Sequence, residues 1–372
     1  MDALKTAINL SLRELDICFE FSWMDWSTTI IPSLIFSIGA SRSSGSSPAS
    51  LAPRYILLIF WNTSFIYFFN LLNQITGIVE DRVDKPHRPL PSGKVTLAGA
   101  KKRCMVVLLV WLLASIHSSV VPEMLCWTVT TGFLCLTAAG NHWFGKNTIG
   151  MTTGTWSLYS ASWKIIAEDT EQSMRYAWTI AIWFAVAAHI QDLRDIAGDS
   201  ANGRRTLPIV FGDRCSRWLI TLIAMPLQIL TLWLGRIAQI APLLIGAAHA
   251  IIAWRVMQVG RGSKYDHKTY MVSYDRIVDW MTTDLDDSST DLYLYILSFH
   301  RLRQFGTDRV IGGGMPFLHE RFFWRWKMPM IPETVPHHDV FSSAIFSFNL
   351  PLLIRCYRVT CACRYFLQYT LQ

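Results

Sequence analysis

The sequence contains few charged residues. Asp, Glu, Lys and Arg make up 16% of its 372 residues, whereas 51% are hydrophobic and the mean hydropathy is +0.27. Soluble domains contain about a quarter charged residues. The shortage of charge therefore excludes an ordinary soluble domain and predicts an integral membrane protein, whose length is counted in membrane spans.

The sequence also lacks paired cysteines, a strand pattern and a secretory signal. Its eight cysteines are scattered without a C-x-x-C pair, which predicts packing residues and not a metal or redox centre. Backbone groups in hydrocarbon must bond within their own helix, so we expect an all-α protein. Lys5, Arg13 and Glu14 interrupt any early apolar core, so the first span itself would direct insertion.

Eight apolar runs are long enough to cross a bilayer, which takes about 20 residues. These runs predict a polytopic membrane helical bundle with eight to nine transmembrane helices. Their ranges are 17–40, 52–78, 104–120, 121–140, 148–167, 175–192, 215–235 and 237–258.

The basic residues lie mainly in the loops between these runs. The loops after the second, sixth and eighth spans are rich in Lys and Arg, and the loop after the fourth holds Lys146. The loop after the third span holds only Glu123, and the loop after the first, with Arg42 and Arg54, is the exception to the pattern. This alternation places the N-terminus and the even-numbered loops in the cytoplasm, and we expect the membrane to be that of the endoplasmic reticulum. The net charge of +7 is thus explained by topology, and we expect membrane lipid and not nucleic acid as a partner.

The pattern changes near residue 271. Residues 1–271 hold the apolar runs and predict a transmembrane catalytic domain, whereas residues 272–372 read as a polar tail. Charges such as Asp275, Arg276 and Asp279 cost about 2.5–3.5 kcal/mol each at mid-bilayer, so a ninth span cannot start there. The tail is either a cytoplasmic appendage or an artefact of the gene model, and the missing span favours the artefact.

Two of the apolar runs end in acidic residues that basic residues follow. The first such end is NQITGIVEDRVDKPHRPLPSG, residues 73–93. In the second, spacings of three and four residues put the three acids on one helical face. This second end comprises Asp192, Asp195 and Asp199, followed by Arg204 and Arg205.

Both acidic ends fall on the predicted cytoplasmic side, where like charges repel unless a cation lies between them. Hard oxygen ligands suit Mg²⁺, which usually keeps waters and substrate phosphates in its shell. Two acidic ends with a basic rim therefore predict a site for a metal-bound diphosphate. The predicted metal ligands are Asn73, Glu80, Asp81, Asp84, Asp192, Asp195 and Asp199, and the predicted diphosphate-binding residues of the rim are Arg88, Lys94, Arg204 and Arg205.

Simpler interpretations exist for each part of this pattern. A single acid at a membrane helix end is ordinarily a solvated interface residue, and Asn73 alone would suit an interhelical hydrogen bond. A transporter would use intramembrane acids to relay ions, but its charges would lie near the bilayer midplane. The acids here lie at helix ends, which favours an enzyme.

These residues resemble the UbiA superfamily of intramembrane prenyltransferases. Asn73 and Asp81 match the first and last positions of the family's first motif, and RPLPSG, residues 88–93, matches letter for letter. The middle acid of that motif is Gly77 here, so Glu80 or Asp84 would have to replace it. The second motif is matched by Asp192 and Asp195, and a diphosphate-binding lysine of the family is matched by Lys146 in NHWFGKN.

The resemblance covers roughly residues 10–271 and implies a nine-helix fold with Asp81, Asp192 and Asp195 as catalytic residues. The sequence is most similar to a fungal branch that includes membrane-bound terpene cyclases of secondary metabolism. This similarity implies a Mg²⁺-dependent cyclase that ionises farnesyl diphosphate to a cyclic sesquiterpene of the bergamotene type. The alternative is a prenyltransferase that attaches a prenyl chain to an aromatic acceptor.

Aromatic residues recur along two of the predicted spans. Trp61, Phe65 and Phe69 are four residues apart and lead to Asn73, and Tyr159 lies in a similar series on the fifth span. Aromatic faces attract cations by about 0.5–2 kcal/mol each, so these four are candidates for stabilising an allylic cation. For any one of them ordinary packing is the stronger interpretation, because membrane helices are rich in aromatic residues.

Overall fold

The computed structural model describes residues 2–239 and 242–272, and within these ranges the regular elements are helices. The predicted all-α class is therefore confirmed. Residues 2–45 and 53–272 belong to one compact unit, and residues 46–52 are assigned to a second. The predicted polar tail, residues 272–372, lies outside the described residues except for Val272.

The helices follow one another through the described chain with short connections. Two segments are 3₁₀-helical, Trp23–Asp25 and Ala138–Asn141, and two are π-helical, Phe144–Gly150 and Ile220–Ala224; residues 263–272 form a last helical segment. The α-helices are α1 (Asp2–Ser22), α2 (Ile30–Ser44), α3 (Pro48–Thr76), α4 (Ile78–Asp84), α5 (Leu97–His117), α6 (Val121–Leu136), α7 (Met151–Ile166), α8 (Glu171–Asp192), α9 (Ile196–Ala201), α10 (Leu207–Phe211), α11 (Asp213–Leu219), α12 (Met225–Leu234) and α13 (Pro242–Val256).

The apolar run 17–40 is broken into two helices. α1 ends at Ser22 and α2 begins only at Ile30. Between them the carbonyl oxygen of Asp25 accepts the hydroxyls of Thr28 and Thr29 at 3.0 and 2.6 Å, so side chains take over bonds that a continuing helix would use. The prediction of one helix over this run is therefore wrong.

The other seven predicted runs each coincide with helical structure. α3 and the continuous helix Asp213–Leu234 are long and apolar enough to cross a membrane, and α6 and α13 are shorter apolar helices. The predicted number of spans, eight to nine, stays a prediction.

Several helices expose a continuous apolar face. On α5 the exposed residues are Met105, Leu109, Leu113 and Ile116, three or four positions apart, whereas Trp111 is fully buried. α6, α12 and α13 also expose large apolar side chains. Apolar surface of this extent is typical of contact with lipid.

α7 is the most enclosed helix of the described unit and packs against α2, α6 and α8. Its small residues allow this close approach: a Cβ at Gly154 would overlap the ring of Trp127 on α6. The helix that begins beside the predicted site is thereby held by three neighbours.

A buried ion pair joins α6 to the end of α7. Glu123 has no exposed surface, and its Oε1 accepts hydrogen bonds from Ser160 Oγ at 2.8 Å and from Lys164 Nζ at 2.9 Å. Lys164 also lies 3.2 Å from Asp169, in the connection to α8. This cluster fixes α6 against the end of α7 and ties both to the connection that leads to α8.

We expect Lys164→Met to destabilise the protein by about 3–5 kcal/mol, because the buried carboxylate of Glu123 loses its cation. Thermal unfolding in detergent measures the loss. Arg175→Met is the matched control: it breaks the exposed pair with Glu171 and should cost below about 0.5 kcal/mol. The double variant Glu123→Gln/Lys164→Met should recover part of the loss, and equal unfolding temperatures for the two single variants would contradict the assignment.

Candidate active site

The first acidic end is built by an interruption between α3 and α4 at Gly77. The Gly77 N–H donates to the carbonyl of Asn73 at 2.9 Å, and a Cβ at Gly77 would lie 3.0 Å from that same oxygen. A side chain at this position is therefore crowded. This crowding is compatible with the glycine that stands where the related motif has an acid, and Asp81 follows one turn later.

Asp81 is buried and paired with Arg88. Arg88 Nη1 donates to both carboxylate oxygens of Asp81, at 3.0 and 2.8 Å. The RPLPSG segment returns Arg88 to α4 through tight turns: the Ser92 N–H donates to the Arg88 carbonyl, and Gly93 takes a φ of 77° that glycine adopts without strain. The turn thus places a guanidinium on the first acidic end.

The second acidic end lies at the last residue of α8. Asp192 is 1% exposed, and its carboxylate accepts from Asn147 Nδ2 at 2.7 Å and from Lys146 Nζ at 3.3 Å. Both donors come from the π-helical segment before α7. Asn147 Nδ2 also lies 3.2 Å from His189 Nδ1, one turn before Asp192.

Arg204 joins the two acidic ends. Its Nη2 donates to Glu80 of the first end at 2.5 Å, and its Nη1 donates to Asp199 of the second at 3.3 Å. Glu80 and Arg204 are 124 positions apart in the chain. The structure therefore brings the two predicted clusters together at one place, as the spacing and loop charges predicted.

Two predicted residues form ion pairs outside this group. Asp195 pairs with its neighbour Arg194 at 3.1 Å, and Arg194 also contacts His267 in the last helical segment. Lys94 lies 2.9 Å from Asp16 and 2.6 Å from Glu20 on α1. The roles of Asp195 and Lys94 stay predictions, but their contacts in this structure are with other elements.

For three further predicted residues the structure gives backbone contacts or the position in a helix, and no side-chain contact at the site. The Asn73 carbonyl accepts from Gly77 and Thr76 at the end of α3. The exposed Arg205 binds through its backbone, which forms an isolated parallel bridge to His142. Asp84 ends α4, and its side chain lies outside the described part of the structure.

The basic residues of the site crowd one another. Burial lowers the pKa of the Lys85 ammonium below its ordinary value, and the neighbouring Arg88 and Arg204 guanidinium groups lower it further, against the attraction of Asp81 and Glu80. Such a concentration of donors favours a multiply charged anion, whose binding would relieve the repulsion.

The predicted aromatic residues pack between helices. The fully buried Trp61 donates from Nε1 to Ser115 on α5 at 2.8 Å. Phe65 stacks on Trp127 of α6 with ring centroids 4.5 Å apart, and Phe69 lies 5.4 Å from the same ring. Tyr159 meets Phe36 edge to face at 4.9 Å. A role in cation stabilisation stays a prediction, and their observed contacts are those of interhelical packing.

Sequence reasoning missed Asp25 and Asn147. Asp25 lies in the turn between α1 and α2, accepts Asn70 Nδ2 at 2.8 Å, and interacts favourably with Arg88 and Lys85. An aspartate inside a supposedly continuous apolar span was a signal for it. Asn147 directly follows Lys146, so the lysine's own motif held the second signal.

The carboxylate oxygens of the site could bind Mg²⁺, but they do not form a complete metal site by themselves. Asp199 Oδ2 is buried without a hydrogen-bond partner among the described residues, which is the kind of atom that a bound cation satisfies. No cluster of three or more His, Cys, Asp or Glu side chains is assembled as a metal site in residues 2–239 and 242–272. Mg²⁺ commonly takes one or two carboxylates and completes its shell with water and phosphate, so Asp81, Asp192 and Asp199 fit that use.

This helical bundle, with two acidic ends joined at one face, defines an enzyme of the UbiA type. The sequence profile of the UbiA prenyltransferase family matches residues 30–272. The chain belongs to this family, as the resemblance predicted. Members of the family are integral membrane proteins, which agrees with the apolar faces of α5, α6, α12 and α13.

The similar proteins include both a terpene cyclase and a prenyl transferase. Diterpene cyclase eriG of Hericium erinaceus is 54% identical over 260 residues, covering 70% of this chain and 84% of the relative. Polyprenyl transferase eriF of the same fungus is 52% identical and covers 70% and 90%. Fumagillin beta-trans-bergamotene synthase af520 of Aspergillus fumigatus is 26% identical and covers 74% and 92%. The predicted similarity to fungal terpene cyclases is therefore confirmed.

Solved structures agree on the fold. A digeranylgeranylglyceryl phosphate synthase in membranes is similar with a TM-score of 0.53 at 19% identity, covering 72% of this chain and 98% of that one. A UbiA homologue from Archaeoglobus fulgidus bound to GPP and Mg²⁺ has a TM-score of 0.51 at 14% identity, covering 71% and 94%.

We expect Arg204→Ala to destabilise the metal-free protein by about 1–2 kcal/mol, because the carboxylates of Glu80 and Asp199 lose their shared cation. Added MgCl₂ should restore more stability to this variant than to the wild type, because Mg²⁺ can take the place of the lost cation between the two carboxylates. Thermal unfolding with and without MgCl₂ measures both effects. Arg205→Ala is the matched control, since the bonds of Arg205 come from its backbone, and an identical response of the two variants would argue against the joining role.

Proposed function

We propose that the protein is an intramembrane terpene cyclase that ionises a prenyl diphosphate and closes the resulting allylic cation onto itself. The observation that carries this proposal is the pairing of the two acidic ends through Arg204, with Arg88 and Lys146 beside them. The 54% identity to a protein named as a diterpene cyclase supports cyclisation.

The residues of the site divide the work of ionisation. Asp81, Asp192 and Asp199 would hold Mg²⁺, and a solved UbiA homologue is bound to GPP and Mg²⁺. When bound, Mg²⁺ neutralises the charge that develops on the departing diphosphate. Three basic residues each form an ion pair with a carboxylate of the site: Arg88, Lys146 and Arg204. Their N–H groups would donate hydrogen bonds to diphosphate oxygens. The apolar helices then exclude water from the cation.

The length of the prenyl chain is a further part of the proposal. The fungal resemblance predicts farnesyl diphosphate and a bergamotene-type sesquiterpene. The relative at 54% identity is named for a diterpene, a C20 product, whereas the bergamotene synthase is 26% identical. We therefore favour geranylgeranyl diphosphate as the substrate and keep farnesyl diphosphate in the same assay.

The second candidate function is prenyl transfer to an aromatic acceptor. It is supported by the polyprenyl transferase at 52% identity, nearly as similar as the cyclase. The two functions share ionisation and differ only in what captures the cation. The assay that separates them omits any acceptor.

The placement of the protein in the cell is also proposed from the sequence. The loop charges support an endoplasmic reticulum protein whose N-terminus and active-site loops face the cytoplasm.

The family match ends at residue 272, which supports residues 1–271 as the catalytic domain.

We expect Asp81→Ala and Asp192→Ala each to lower turnover by about 100-fold or more, because ionisation loses several kcal/mol of charge stabilisation. Product formation by microsomes measures turnover, and alkaline extraction checks that both variants remain in the membrane. Glu171→Ala, an exposed acid at the start of α8, is the control. Near-native activity of either aspartate variant would remove the central claim.

We expect microsomes with Mg²⁺ and no acceptor to convert geranylgeranyl diphosphate to a cyclic hydrocarbon, detected by gas chromatography with mass spectrometry. Farnesyl and geranyl diphosphate test the chain length in parallel. Excess EDTA should abolish the product and added MgCl₂ should restore it, because the carboxylates need the cation to hold diphosphate. Turnover only after an aromatic acceptor is added would establish the transferase instead, and full activity in EDTA would exclude metal dependence.

A further inference from the structure

α1 has three distinct faces. Ile17 and Phe21 are buried against Tyr67, Leu71 and Leu90. The polar residues Lys5, Asn9, Arg13, Asp16 and Glu20 follow a second face at spacings of three and four.

The third face of α1 is apolar and exposed. Ile8, Leu12 and Leu15 recur at spacings of four and three, and they are 49%, 59% and 66% exposed. Helical geometry places them on the side roughly opposite Ile17 and Phe21. The helix therefore has one polar face and apolar residues on both flanks. The flank of Ile17 and Phe21 contacts the bundle from Ile17 onward, whereas Leu10 on that flank is 55% exposed.

Ion pairs fix the level of α1 on the bundle. Glu14 accepts two hydrogen bonds from Arg103, at 2.6 and 2.8 Å, near the start of α5. Lys94, in the loop before α5, lies 2.9 Å from Asp16 and 2.6 Å from Glu20. α1 thus lies beside the basic end of α5, where the loop charges place the cytoplasmic surface of the bilayer.

The apolar surface of α5 begins at the same level. Met105 and Val106 come just after Cys104, the neighbour of Arg103, and are 67% and 60% exposed. Leu109 continues the same surface one turn later. The residue that holds Glu14 is thus adjacent to the lipid-facing surface. A helix attached there meets the boundary between headgroups and hydrocarbon.

We infer that α1 is an interfacial helix, which lies on the cytoplasmic leaflet and buries the side chains of Ile8, Leu12 and Leu15 among the lipids. An amphipathic helix of about 20–30 residues with a charged face is typical of this position. The inference is independent of the reaction that the protein catalyses. It assigns to α1 a membrane contact in addition to the spanning helices.

Spin-label accessibility tests the inference on the full chain in nanodiscs of phosphatidylcholine. Single cysteines in a cysteine-depleted protein replace Ile8, Leu12 and Leu15, and the matched controls replace their neighbours Asn9 and Arg13. We expect dissolved oxygen to relax the first three labels preferentially and the water-soluble nickel chelate to relax the controls. Preferential relaxation of all five labels by nickel would overturn the inference, since the face would lie in water. Labels at 8, 12 and 15 shielded from both reagents would also overturn it, because another part of this chain or a second copy would cover the face.

A second measurement keeps the native cysteines. Trypsin cleavage after Arg13 should be slow in nanodiscs, because the helix lies against the bilayer. Ile8→Glu should accelerate cleavage by about fivefold or more, since an apolar side chain that lies among the lipids becomes a charge. Asn9→Glu, on the polar face, should leave the rate unchanged. Equal rates for the two variants would contradict the lipid contact.

Discussion

The structure depends on the neutralisation of carboxylates at the end of a membrane bundle. Like charges at neighbouring helix ends repel, and burial increases the cost of each unpaired charge. Here each buried acid of the site has a cation or an amide donor: Arg88 for Asp81, Lys146 with Asn147 for Asp192, and Arg204 for Asp199. These contacts bring α4, α8, α9 and the segment before α7 to one place. The same cations would serve a diphosphate, so the interactions that hold the site are those that substrate would use.

A second buried carboxylate, Glu123, is also neutralised by a nearby cation. Glu123 is fully buried, and Lys164 and Ser160 supply its hydrogen bonds. This cluster lies at the start of α6 and the end of α7, whereas Lys146 and Asn147 lie just before α7. α7 is therefore held at both of its ends by charged contacts and along its length by close packing, as at Gly154 against Trp127. A helix held in this way gives Lys146 a defined position beside Asp192.

Two breaks between helices, at Gly77 and after Ser22, lie beside polar side chains that form hydrogen bonds. Gly77 separates α3 from α4, and Arg88 then returns to Asp81 on α4. Helical hydrogen bonds continue across this break, from the Gly77 N–H to Asn73 and from the Asp81 N–H to Gly77. Asp25 follows the end of α1 at Ser22, and its side chain accepts Asn70 Nδ2. Its carbonyl accepts the hydroxyls of Thr28 and Thr29 in place of helical bonds. This second break separates α1 from α2, and α1 packs on the bundle through Ile17 and Phe21 while Ile8, Leu12 and Leu15 stay exposed.

The sequence by itself determined the class of protein, the all-α fold and the two acidic helix ends, because hydropathy, helical spacing and the RPLPSG segment are local properties. It also predicts Asp81, Asp192, Arg88 and Lys146 as site residues, and the structure pairs Arg88 with Asp81 and Lys146 with Asp192. Only the tertiary structure decided which charges meet. Asp199 and Glu80 share Arg204, whereas Asp195 turns to Arg194 and Lys94 turns to α1. The pairings of Arg204 with Glu80 and of Lys94 with α1 depend on how elements far apart in the chain are brought together. A long charged side chain also has several partners within reach, some of them close by in the chain. The spacing of residues along one helix contains no information about that choice.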